Sequence, residues 1–364
     1  MKFTCFAIAL LLFSCSSKSQ ENSSKINLPS GFSISVYAEV ESARSMTISP
    51  QGTVFIGSRS GGNVTALQDL DGDGVAERKF TIASNLNTPN GVAFKDGDLY
   101  VAEISRILRF PNIEAKLDNP PNYEVIYDDY PKDRHHGWKY IAFGPDGKLY
   151  VPVGAPCNIC KSDEIYATIT RIDPEGKNME IVAHGIRNTV GFTWHPETKE
   201  LWFTDNGRDM MGDEYPPCEL NKITRNGQHF GYPFCHGGEI ADPKFGSERH
   251  CNDFVKPEWK FKAHVAPLGL KFYTGNMFPE EYKGDLFVAQ HGSWNRSKKI
   301  GYRIMRMHLE NGKVKSAHVF ADGWMNNQTQ EVFGRPVDIL QMVDGSILVS
   351  DDYAGKIYRI SYDK

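Results

Sequence analysis

The sequence has no block of basic residues, and its formal net charge is only −4 over 364 residues. Nothing in that balance calls for a nucleic-acid partner. There is no CxxCH, so no covalently attached haem is encoded. One CxxC is present, Cys157-Asn158-Ile159-Cys160, but no second accompanies it, and a structural zinc site is poorly supported. No helical pattern follows the pair, which argues against a redox-active CxxC at a helix start. Helical periodicity of any length is nearly absent, which leaves a fold built from strands. The apolar run Phe6 to Phe13 is too short to span a bilayer as a folded helix.

Hydrophobic residues make up 40% of the chain and charged residues 24%, the balance of a soluble globular protein of one large domain or two. A repeat decides between them. Apolar runs flank a turn rich in Asp, Gly or Pro, and the unit begins near Met46, Gly91, Tyr140, Gly191, Leu268 and Val337. Most copies are followed by a third strand, as in "SRILRFPN" and "YRIMRMHLENG". Six meanders, four of them starting roughly 50 residues apart, predict a six-bladed β-propeller in one domain over residues 27–364. Wider gaps before the fifth and sixth copies imply insertions. "GFSISVYAEV", from Gly31, has no unit of its own, and the last copy lacks a fourth strand. The N-terminal strand is therefore expected to complete the last blade and close the ring.

Residues 1–15 read as a targeting segment and residues 16–26 as a polar tether. The segment ends in Leu12-Phe13-Ser14-Cys15 and resembles a bacterial lipoprotein signal, with an ordinary cleaved secretion signal as the alternative. Either places the folded domain outside the cytoplasm, where disulfides persist. Cys157–Cys160 is expected as a loop staple and Cys235–Cys251 as a second bridge, leaving Cys218 over.

Two adjacent histidines, His135 and His136, stand before the inner strand of the third unit, where a propeller gathers its ligand-binding loops. Other polar groups fall at comparable points. Arg187 and Asn188 precede the fourth inner strand, and Arg335 the sixth. Asn206, Gly207, Arg208 and Asp209 follow the second strand of unit four. His291, Trp294, Asn295 and Arg296 do so in unit five. Each alone reads as an ordinary surface residue; their convergence predicts a site. Arginines beside a Trp suit a planar, polyanionic ligand.

"HHGWKYIAFGPDGKLYVPVG", "GIRNTVGF", "TDNGRD", "AQHGSWNR" and "GRPVDI", in that order on a six-unit repeat, resemble the soluble quinoprotein sugar dehydrogenases. The likeness is closest to their sorbosone dehydrogenase-like branch. It runs over about residues 27 to 363. It implies a propeller that binds pyrroloquinoline quinone (PQQ) and Ca²⁺ and oxidises a sugar, with a separate electron acceptor such as a cytochrome or quinone. It places the catalytic base on His136 and a pair facing the quinone oxygens on Arg187 and Asn188. Backbone carbonyls for the calcium fall on Gly207 and Arg208, and a carboxylate-binding arginine on Arg335. The loop carrying His291, Trp294 and Arg296 takes the place of a cofactor-contacting lysine. The family's base-orienting Asp aligns with Ala155, so His136 needs another partner.

A neutral imidazole suits removal of a hemiacetal proton near neutral pH. Arg187 and Ca²⁺ would stabilise charge growing on the quinone oxygen. A further signal is "DLDGDGVAE", in which Asp69, Asp71 and Asp73 open like a calcium loop; a hydrated Asp-Gly turn is the plain alternative. Two other functions fit a six-bladed ring, a calcium-dependent lactonase or similar hydrolase and a glycan- or protein-binding module without catalysis.

Overall fold

Short strands separated by turn residues leave each sheet small, and the sheets bury their faces against one another. The computed structural model describes residues 25–363. The expected signal at residues 1–15, and nearly all of the tether, lie outside the described residues. Six antiparallel four-stranded units follow in chain order. Blade 1 comprises Ala43–Ile48, Val54–Ser58, Val64–Gln68 and Arg78–Ala83. Blade 2 comprises Gly91–Lys95, Asp98–Ala102, Ile107–Phe110 and Glu124–Tyr127. Blade 3 comprises Ala142–Phe143, Leu149–Val153, Thr168–Ile172 and Glu180–His184, with Gln228–His229 added in parallel at its edge. Blade 4 comprises Phe192–Trp194, Leu201–Asp205, Cys218–Ile223 and Trp259–Phe261. Blade 5 comprises Pro267–Phe272, Leu286–Gln290, Arg303–Glu310 and Lys313–Ala321. Blade 6 takes Pro336–Gln341, Ile347–Asp351 and Lys356–Tyr362, and its outer strand is Phe32–Glu39, paired antiparallel from Phe32 opposite Tyr362 to Glu39 opposite Lys356.

The core is divided among the gaps between blades. Phe55 and Val64 of blade 1 meet Val101 and Leu108 of blade 2. Comparable clusters lie between blades 2 and 3, 3 and 4, 4 and 5, and 5 and 6. A further one joins Leu340, Leu348 and Ile357 of blade 6 to Val54 and Ile56 of blade 1. A strand with one solvated face would alternate, yet all five residues of Leu149–Val153 are buried. A blade is covered on both faces, so its middle strands are apolar throughout rather than on alternate positions.

The insertion in unit four lies between its third and fourth strands. It carries the small hairpin Cys235–His236 and Ile240–Ala241 and the Cys235–Cys251 disulfide. Cys157 and Cys160 are also bonded, and Cys218 is free and buried.

Candidate active site

In each blade the loop entering the inner strand and the loop leaving the second strand emerge at the same end. Those loops from blades 1, 3, 4, 5 and 6 surround a cavity of about 330 Å³. His136, Arg187, Asn188, Gly207, His291, Trp294 and Arg335 all line it. Asp209 is the one carboxylate among the lining residues. That is too little acid for the carboxylate-ringed metal which the lactonase alternative needs.

His136 is buried and its backbone is left-handed, with φ 51°. Its Nδ1 lies 2.9 Å from the carbonyl oxygen of Ala155. A carbonyl can only accept, so Nδ1 carries the proton and Nε2 keeps a free lone pair. The missing orienting carboxylate is thus replaced by a main-chain carbonyl at the same position, which no side-chain pattern could reveal. The approach is close. A Cβ on Gly154 would sit 2.6 Å from the His136 Cβ, so only glycine fits there. In an extended segment neighbouring side chains would face opposite ways, but the backbone at His136 is not extended. The His135 and His136 rings touch, with centroids 4.1 Å apart, yet His135 is exposed and does not line the cavity.

Burial, followed by the Arg187 and His135 charges, pushes the His136 imidazole down to about 2. The base form therefore persists through the neutral range. A stability consequence follows in the cofactor-free protein. Above about pH 6.5 neither the folded nor the unfolded chain protonates this group. As pH falls below that, the unfolded chain takes up a proton that the fold refuses. Relative to His136→Asn, the wild type should lose about 1 kcal/mol of stability per pH unit between roughly pH 6 and 5. Urea titrations at several pH values measure this; a pH-independent difference would show that the folded imidazole titrates normally.

Arg187 and Arg335 are set by the same device. The residue ending the second strand is Asp205 in blade 4 and Asp351 in blade 6. Asp205 accepts the backbone N–H groups of Arg187 and Asn188, at 2.9 and 2.7 Å, and Asp351 accepts that of Arg335 at 2.9 Å. Burial raises both carboxyls to about 6. Beyond that the two arginines differ. A guanidinium has five N–H donors. Arg187 directs its own to the carbonyls of Asn158, Asn206 and Gly207, the Asn158 Oδ1 and the Asp209 Oδ2, at 2.8 to 3.3 Å. Arg335 donates from Nε to the His291 carbonyl and from one terminal nitrogen to that of Gly292, keeping donors to spare.

Two more cations line the cavity that the sequence reading passed over. Arg44 donates to Asn90 and Asp352, and Asp352 also meets His291 Nε2 at 2.8 Å. Arg59 stacks over Trp138 at 4.0 Å. Arg59 directly follows the second strand of blade 1, the point that supplies His291 in blade 5, and that register was its available signal; Arg44 lies just inside the blade 1 inner strand. The buried Trp138 Nε1 has no hydrogen-bond partner and belongs to the lining. Three arginines with unspent donors and an orphaned indole N–H fit a planar polycarboxylate such as PQQ.

Other expected residues turn away. Arg296 does not line the cavity; its guanidinium is held at the rim by the Asp213 carbonyl and the Glu214 carboxylate. The Arg208 side chain pairs with Asp242 at 2.6 Å, and Arg208 is also absent from the lining. The Gly207 carbonyl, expected on calcium, accepts from Arg187 at 3.1 Å. A calcium ion therefore fits this corner poorly, since a guanidinium already occupies one of its two assigned ligands. Asp69, Asp71 and Asp73 do converge, joined by Glu77, which the sequence reading did not single out. Asp69, Asp71, Asp73 and Glu77 also accept backbone N–H groups of their own loop, so the loop is accounted for without an ion.

Against this geometry, the comparisons with known proteins agree. Residues 107–359 match the model of the glucose/sorbosone dehydrogenase family. An uncharacterized protein of Borreliella burgdorferi is 34% identical over all of this chain and 97% of its own length. A PQQ-dependent pyranose dehydrogenase of Coprinopsis cinerea is 30% identical over 30% of this chain and 17% of its own length. Among solved structures, the PQQ domain of the Coprinopsis cinerea pyranose dehydrogenase superposes with a TM-score of 0.79 at 18% identity, over 92% of this chain and 97% of that one. The PQQ-bound aldose sugar dehydrogenase of Streptomyces coelicolor gives 0.66 at 19% identity, over 93% and 100%. With its six blades and its cation-lined mouth, the chain belongs to the glucose/sorbosone dehydrogenase family.

Proposed function

We propose that the protein is a PQQ-dependent sugar dehydrogenase that oxidises an aldose hemiacetal, or a related sugar carbinol, to the lactone. The observation that carries this reading is His136, its Nδ1–H fixed on the Ala155 carbonyl, facing a cavity lined by arginines with donors to spare. When bound, PQQ supplies the two-electron acceptor for a hydride. Arg335, Arg44 and Arg59 would hold its carboxylates, and the Trp138 N–H an oxygen. His136 Nε2 accepts the proton of the sugar hydroxyl, and its neutral state keeps that lone pair available. Arg187, with every donor engaged, contributes fixed positive charge in a buried place. Trp294, 70% exposed at the mouth, offers a face for a pyranose ring.

Calcium is not needed for any of these roles, and the fit at Gly207 argues against assuming it. The two disulfides support an oxidising compartment, and we place the folded domain outside the cytoplasm, held by lipid at Cys15. Electrons then leave to a separate carrier.

The test is reconstitution of the purified domain with PQQ, with and without Ca²⁺, following dye reduction by a panel of aldoses. Saturable PQQ binding and sugar-dependent dye reduction are expected. A domain that binds PQQ but oxidises no sugar would leave a binding module, and hydrolysis of lactones without PQQ would reinstate the hydrolase.

A further inference from the structure

The CxxC of the sequence has no role in the chemistry above, yet it sits beside it. The Cys157–Cys160 disulfide closes a two-residue loop whose first residue is Asn158. Asn158 reaches Arg187 twice. Its backbone carbonyl accepts from Nε at 2.9 Å and its Oδ1 from a terminal nitrogen at 2.8 Å. The same Oδ1 accepts the backbone N–H of Asp209 at 2.8 Å, and Nδ2 donates to the Asp209 carbonyl at 3.1 Å. Both donors fall on Oδ1 and the acceptor on Nδ2, which fixes the amide orientation. Asp209 in turn meets Arg187 through its carboxylate at 3.3 Å and lies 3.8 Å from His264 Nδ1.

The loop is anchored from behind. The Tyr232 hydroxyl accepts the Cys160 N–H at 3.0 Å and lies 3.4 Å from the Cys157 sulfur. Tyr232 belongs to the blade 4 insertion, three residues before the bridged Cys235, and packs with Ala155 and Ala167. Ala155 is the residue whose carbonyl orients His136.

We infer that the Cys157–Cys160 loop is a clamp for the active site, with Asn158 as the positioning residue that holds the Arg187 guanidinium. A buried guanidinium on a flexible stem needs such fixing, because a displacement of about 1 Å of a catalytic charge can cost roughly 10²-fold in rate. Asn158 supplies two of its five acceptors and braces a third, Asp209. The disulfide limits the loop to this conformation, so its covalent state bears on the reacting centre although neither sulfur would touch a ligand. This rests on the reading of the cavity as a PQQ site, but the clamp itself can be tested without cofactor.

Asn158→Leu and the double variant Cys157→Ser/Cys160→Ser are compared with wild type. In the cofactor-free domain, the Arg187 Nε–H signal, followed by NMR with ¹⁵N-arginine labelling, should exchange slowly in wild type and about 10-fold or more faster in the double variant. In the loaded enzyme, Asn158→Leu should lower kcat about 10- to 100-fold with sugar KM nearly unchanged and a thermal midpoint close to wild type. Asn158→Asp, which keeps the acceptor, should recover part of that loss. Equal exchange in wild type and double variant, or an Asn158→Leu enzyme with wild-type kcat, would overturn the clamp. Failure of wild type to bind PQQ, with the exchange difference intact, would overturn the cofactor assignment and leave the clamp standing.

Discussion

Replacing His136 with alanine should lower turnover about 10²- to 10⁴-fold, the usual share of a general base. PQQ should stay bound, because the groups that would hold its carboxylates are arginines on other loops. The structure adds reasons for so large an effect. The imidazole is buried, its tautomer is dictated by the Ala155 carbonyl, and burial keeps it neutral. His135→Ala should lose only a few-fold, since His135 is exposed and meets the site only through the His136 ring. Stopped-flow reduction of the PQQ-loaded variants by sugar separates the chemical step from dye turnover. A His136→Ala enzyme that retains bound PQQ and near-normal reduction would move the base elsewhere. His291 is then next, although its Nε2 is committed to Asp352.

The second large effect is expected on cofactor capture. Arg335→Ala should weaken PQQ binding by about 2–5 kcal/mol, roughly 30-fold to several thousand-fold. Two contributions add. The variant removes a cation with unspent donors from a nearly acid-free cavity, and it releases the His291 and Gly292 carbonyls that Arg335 now holds. Arg335→Lys keeps the charge without the planar fork and should fall between the two. Equilibrium titration of PQQ fluorescence, with circular dichroism to confirm folding, measures the difference. An unchanged affinity in a folded Arg335→Ala protein would remove this residue from the site.

The ring was legible because its signal repeats. Apolar run, turn rich in Asp, Gly or Pro, and apolar run recur six times, so each copy supports the reading of the others. The site was legible to the extent that it obeys the same register. His136, Arg187 and Arg335 each stand before an inner strand, and that position brings them to one mouth. Arg59 holds in blade 1 the place that His291 holds in blade 5, and Arg44 lies just inside the inner strand, but blade 1 carries no distinctive words around them. What the sequence could not express is how side chains spend their hydrogen bonds. Arg296 and Arg187 are both arginines near the same rim; one is drawn outward by Glu214 and the other inward by five acceptors. The partner of His136 was hidden for a different reason. It is a carbonyl, which every residue possesses, and only the left-handed turn at His136 selects that of Ala155.

The sharing of blade 6 between the two ends of the chain sets an order in time. Phe32–Glu39 leaves the ribosome before every other strand of the ring, and its hydrogen-bonding neighbour, Lys356–Tyr362, after every other. For the whole of synthesis the early strand carries an open edge of N–H and C=O groups. Its cluster with blade 1 is likewise half made until Leu348 and Ile357 arrive. Contacts this distant in sequence form slowly, because the loop they close is nearly the entire chain. A nascent or truncated chain ending before residue 347 would expose both that edge and the apolar flank beneath it. The interval before the last blade is complete is therefore when this protein is most open to aggregation and to proteases, and a chaperone that covers Phe32–Glu39 would shorten that exposure.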